Sequence, residues 1–101
     1  MNALLERLMG VHALTDQIIT MDLLISAKSG VRNYAMAVTE AGTPEVKQVL
    51  SRQLEDAIAF HERVTAFAIE RGWYRPWDVK AQLGAELQNI KTAQELAKLA
   101  H

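Results

Sequence analysis

Glu55 and Glu62 stand seven residues apart with His61 beside the second, and carboxylates with an imidazole are the donors a di-metal centre uses. In a helical bundle such a centre takes inward glutamates from two helices and a Glu-x-x-His pair from each of two others. No Glu-x-x-His occurs in the 101 residues, and the residue three before His61 is Ile58. Glu55 and Glu62 fall about 140 to 160° around the helix from the apolar seam that carries His61, so the pattern turns both to solvent. One inward histidine lacks the several protein ligands of a metal site. No metal and no other cofactor is expected.

His61 still needs a partner, because a polar ring on an apolar face must bond or change its protonation. It is either a neutral histidine bonded to a facing polar group such as Tyr34, or a pH-responsive switch at a helix or dimer interface. Asp22, Lys28 and Arg32 form a second polar set, with Lys28 and Arg32 one helical turn apart. They read as a solvated face whose aliphatic stems cover apolar surface, as a partner-binding patch, or as one side of a dimer salt bridge. Trp73, Tyr74 and Trp77 are half of the six aromatic residues, held in one short turn. Exposed, they would anchor a partner, since Trp and Tyr dominate binding hot spots; folded back, they would plug the end of a bundle.

Catalytic patterns are missing. There is no nucleophile elbow, phosphate loop, Rossmann glycine pattern or metalloprotease motif. Ser26, Ser29 and Ser51 have no neighbouring histidine in the sequence, and the absence of cysteine excludes thiol catalysis, disulfides and iron–sulfur ligation.

The elements that position these residues follow from the punctuation. Two prolines and five glycines in 101 residues leave room for a few long elements, and therefore for helices. Ala41-Gly42-Thr43-Pro44 supplies a left-handed glycine stop, a capping threonine and a proline at the first helical position. Arg71 to Asp78 supplies a second break, with Gly72 as stop and Asp78 as cap. A third break is expected near Gly10, with Thr15 or Asp16 starting the first long helix. Helices are thus expected at about 16–41, 44–71 and 79–99, after a short amphipathic segment with Leu4, Leu5, Leu8 and Met9.

In the first helix Leu24, Ala27, Val31, Tyr34, Val38 and Ala41 form a bundle seam. A second stripe of Leu14, Ile18, Met21 and Ile25 points to a second neighbour. The second helix carries Leu50, Leu54, Ala57, His61, Val64 and Ala68, widened by Val46, Phe60 and Phe67. The third offers Val79, Leu83, Leu87, Ile90, Ala93 and Ala97. Ser29-Gly30 lies mid-helix, where glycine costs roughly 1 kcal/mol against alanine, a cost that close approach of another helix would justify.

A chain of this length holds one small domain. Eleven basic against twelve acidic residues leave a net charge of -1, with no positive field for nucleic acid or an anionic membrane. No apolar run approaches the roughly 18 to 20 residues of a membrane span, and Glu6 interrupts what a signal peptide would need. A soluble intracellular protein is expected. The fold class expected is all-α: a long antiparallel hairpin plus a third helix, completed by a second copy, or closed by the three helices and the N-terminal segment alone. The self-association surface expected is Ile18, Met21 and Ile25 with the aromatic turn Trp73, Tyr74 and Trp77. Asp22, Lys28, Tyr34 and His61 are the structural polar residues.

The run Leu14-Thr15-Asp16-Gln17, then Met21-Asp22-Leu23-Leu24-Ile25-Ser26-Ala27-Lys28, Tyr34, Leu50, Leu54, His61, Gly72-Trp73-Tyr74 and Gln82-Leu83 resembles the Coat F domain of spore coat proteins from Bacillus- and Clostridium-type spore formers. The resemblance spans about residues 14–87, and its most specific pieces are Asp-Leu-Leu-x-x-x-Lys and Gly-Trp-Tyr. It implies a ferritin-like helical fold, no enzymatic activity, other spore coat proteins as partners beside a second copy, synthesis in the cytoplasm and the spore coat as destination. A ferritin-like metal-binding enzyme or storage protein, and a small non-catalytic regulatory adaptor, are the competing readings.

Overall fold

The computed structural model describes residues 2–99. The final residues Ala100 and His101 lie outside the described residues. All regular secondary structure among the described residues is helical: α1 spans Ala3–Glu40, α2 Pro44–Glu70 and α3 Val79–Leu99.

The break expected near Gly10 does not exist, and α1 runs without interruption for 38 residues. A mid-helix glycine costs only about 1 kcal/mol, and the first proline is Pro44, so nothing here outweighs the cooperativity of a helix already begun. The start lies instead at Asn2, whose Oδ1 accepts the Leu5 N–H at 2.8 Å while its carbonyl accepts from Glu6 at 3.1 Å. That is an asparagine N-cap.

The Ala41–Thr43 connection is as expected at its far end. Thr43 Oγ1 accepts the Val46 N–H at 3.3 Å, its carbonyl accepts from Lys47, and Pro44 occupies the first helical position. Gly42 is not the left-handed stop, because Gly72, at φ 75°, is the one positive-φ glycine among the described residues. There the Trp73 N–H bonds the Ala68 carbonyl and the Gly72 N–H bonds that of Ile69, both at 2.9 Å. These two bonds are a Schellman motif, which needs a left-handed residue at Gly72. Asp78 stands just before α3, its carbonyl accepting from Gln82 at 3.0 Å.

The chain divides into two compact units. One is the hairpin, residues 21–67, in which the last twenty residues of α1 meet α2. Leu24, Ala27 and Val64 are its buried apolar residues, and Val31, Tyr34, Val38, Leu50, Leu54, Ala57 and His61 are half-buried along the expected seam. Tyr34 and Ala37 share a depression with Leu50, whereas Lys28 and Val31 share one with His61. Moving back along α1 therefore means moving forward along α2, the antiparallel register a three-residue connection imposes.

The other unit joins residues 1–20 to residues 68–101. Here Thr20 and Ala68 are buried. On α3 the half-buried side chains are Gln82, Ala85, Asn89, Thr92 and Leu96, a heptad-spaced face of mostly polar and small residues. The stripe expected to pack, Val79, Leu83, Leu87, Ile90, Ala93 and Ala97, is exposed throughout. At about 100° per residue the two faces lie roughly 120° apart on the helix. The expected packing face of α3 is therefore open.

Candidate functional site

The notable chemistry of this molecule is unburied apolar surface. Its accessible surface is 7638 Å², whereas a folded monomer of 11.3 kDa exposes roughly 5,700 Å². The excess has identifiable sources. Leu4, Leu5, Leu8, Met9, Val11 and Ile19 are exposed along the first half of α1, and Ile25 and Met36 further on, at 62% and 60%. Along α3, Val79 is 79%, Leu83 55%, Leu87 59% and Ile90 55% exposed. The face that α1 turns toward its own unit includes Arg7 and Gln17, half-buried, and Arg7 Nε is buried with no hydrogen-bond partner. Apolar side chains face out where several polar ones face in.

Of the residues expected to mediate association, Ile18 and Ile25 are open, at 51% and 62%, while Met21 between them is half-buried. The stripe that was to occupy a second neighbour of α1 is thus only half covered. By length and average composition α1 also passes as a helix able to cross a membrane, although Asp16 and Asp22 interrupt its apolar run.

The aromatic turn divides. Trp73 and Tyr74 are half-buried, and the Arg71 guanidinium lies over the Trp73 ring, 5.8 Å from its centroid, within cation–π range. Trp77 stands out, 69% exposed. The turn is fixed from α3: Gln82 Oε1 accepts the Arg75 N–H at 2.7 Å, and Gln82 Nε2 donates to the Trp73 carbonyl and to Glu86 Oε1, each at 3.3 Å. Beside it Arg75, Pro76, Val79, Gln82, Leu83 and Glu86 line a shallow hollow of about 280 Å³. Sequence reasoning noted Gln82 without assigning it this role, since no local pattern marks a side chain that bonds seven and nine residues back.

His61 and Tyr34 are not brought together. Tyr34 shares a hollow with Gly30, Asn33, Ala37 and Leu50 that does not include His61. His61 instead shares an open hollow of about 170 Å³ with Lys28, Val31 and Arg32. Asp22 is exposed on α1, Lys28 half-buried and Arg32 exposed. Gly30 has nothing within 4 Å of the position a Cβ would take, so no close helix approach explains that glycine.

The residues present do not fit a di-iron centre. Glu55 and Glu62 are exposed, His61 faces two cations, and no three His, Asp or Glu side chains converge among the described residues.

The Coat F domain model matches residues 15–78, more than half of the chain. This chain belongs to the Coat F family. The match includes the Asp-Leu-Leu-x-x-x-Lys run and the Gly-Trp-Tyr turn, and ends at Asp78, short of α3. Spore coat protein F-like protein YraD of Bacillus subtilis is 59% identical over 99 residues, covering 98% of this chain and all of that protein. Spore coat protein F-like protein YgzC of the same organism is 30% identical over 53 residues, 52% of this chain and 59% of that protein. No solved structure is significantly similar. The Coat F family member thus has a relative in Bacillus subtilis that matches it over its full length, and open apolar faces on α1 and α3.

Proposed function

We propose that this Coat F protein is a non-catalytic structural or assembly component of the bacterial spore coat, acting by packing against copies of itself and against other coat proteins. Family membership supports the coat as destination. What supports self-association is the apolar face of α1, where Ile18 and Ile25 are more than half exposed. Burying such side chains is worth on the order of 2 kcal/mol each, and a second copy completes the helical bundle, of ferritin-like type, by covering them.

A two-fold pairing of two α1 helices about Ile25 brings the same apolar patch of each copy together, as an isologous interface requires. Trp77, exposed beside the anchored Trp73 and Tyr74, suits contact with a different coat protein. In the test, Ile25→Glu lowers the molar mass in solution while circular dichroism keeps its helical signal. An unchanged mass counts against the α1 surface, and stoichiometric iron or manganese in protein purified without chelator counts against the non-catalytic reading.

A further inference from the structure

We propose that the outward stripe of α3, formed by Val79, Leu83, Leu87 and Ile90, is a docking face for α3 of a second copy, packed parallel. It rests on the reading that this protein self-associates, but uses other residues from those on α1. The family match ends at Asp78, so the family motif does not include this stripe.

Three observations carry it. First, α3 is amphipathic but wrongly turned for a lone chain: its covered face holds Gln82, Asn89 and Thr92, and its apolar face is open. A helix whose apolar stripe lies roughly 120° from its own unit has that stripe available for another body. Second, the accessible surface of 7638 Å² exceeds that of a folded monomer of this mass by about 1,900 Å². The α3 stripe and the open face of α1 both contribute to that excess, and permanent dimers bury about 1,000 to 2,500 Å² per partner.

Third, the charges beside the stripe favour a second copy in one direction. At about 100° per residue Glu86 and Lys91 flank the stripe on opposite sides, so in a parallel pair with the two-fold along the seam Glu86 of one copy lies on the same flank as Lys91 of the other, five residues on. The pair occurs twice. An antiparallel pairing with its two-fold between Gln88 and Asn89 would set Glu86 beside Glu86 on one flank and Lys91 beside Lys91 on the other, which like-charge repulsion disfavours. A lipid surface offers Glu86 no such partner.

The test is molar mass by light scattering on purified full-length chains, with helicity followed by circular dichroism. Leu87→Glu, at a position already more than half exposed, lowers the mass at constant helicity. Glu86→Lys also lowers it, and the double exchange Glu86→Lys with Lys91→Glu restores it. A Leu87→Glu protein of unchanged mass overturns the proposal even if Ile25→Glu dissociates the assembly, whereas the converse result leaves α3 as the interface and removes α1. Unchanged mass together with loss of binding to phosphatidylglycerol vesicles in Leu87→Glu would assign the stripe to lipid and also overturn it. Failure of the exchange to restore mass overturns the parallel register.

Discussion

Gln82 holds Arg75 from seven residues away: the side-chain oxygen of one accepts the backbone N–H of the other at 2.7 Å. The same amide donates to the Trp73 carbonyl at 3.3 Å, so the first turn of α3 secures the whole Trp73–Asp78 connection. The donor and acceptor of one glutamine are both used, which fixes the turn that displays Trp77.

Replacing Gln82 with alanine removes these bonds and leaves backbone groups of the turn to water. The expected loss is about 1 to 2 kcal/mol in urea unfolding at fixed chain concentration, with red-shifted tryptophan emission as Trp73 loosens. Stability equal to the parent would mean that the turn is held by other contacts.

Two glycines respond in opposite directions to the same substitution. Gly72 at φ 75° closes α2, and Gly72→Ala costs roughly 1 to 2 kcal/mol because an L residue resists the left-handed conformation. Gly10 lies inside α1 with nothing within 4 Å of the place an added methyl would occupy, and Gly10→Ala stabilises by about 1 kcal/mol. Melting temperatures of the two variants on either side of the parent are the expected result; a destabilised Gly10→Ala would mean that the glycine serves an assembled state.

His61 sits half-buried on the α2 seam in the hollow shared with Lys28 and Arg32. His61→Leu fills the hollow with apolar volume and removes a polar ring from beside two cations, so it is expected to raise stability by about 1 kcal/mol. Loss of stability on this change would show that the ring makes a polar contact that the hairpin needs.

The hairpin is legible in the sequence because each half of its seam repeats at helical spacing: Leu24, Ala27 and Val64 are buried where the pattern puts them. Thr43 and Gly72 are legible because caps and left-handed stops have local chemistry. The break expected near Gly10 fails because one glycine without proline or a competing cap is a small cost spread over a long helix. The face of α3 is misjudged for a different reason. Choosing the covered side of an amphipathic helix by its apolar stripe assumes that the partner is in the same chain, and here Gln82, Asn89 and Thr92 face inward while Leu83, Leu87 and Ile90 do not. Pairing Tyr34 with His61 rests on their shared inward direction alone, and the two line different hollows of the hairpin.

The molar mass of the unmodified chain in solution, measured by light scattering over a range of concentrations, bears most directly on self-association. The expected result is a stable multiple of 11.3 kDa that persists on dilution and falls in Ile25→Glu. A mass of one chain at every concentration would contradict it, and would leave the exposed apolar faces of α1 and α3 to partners other than this chain.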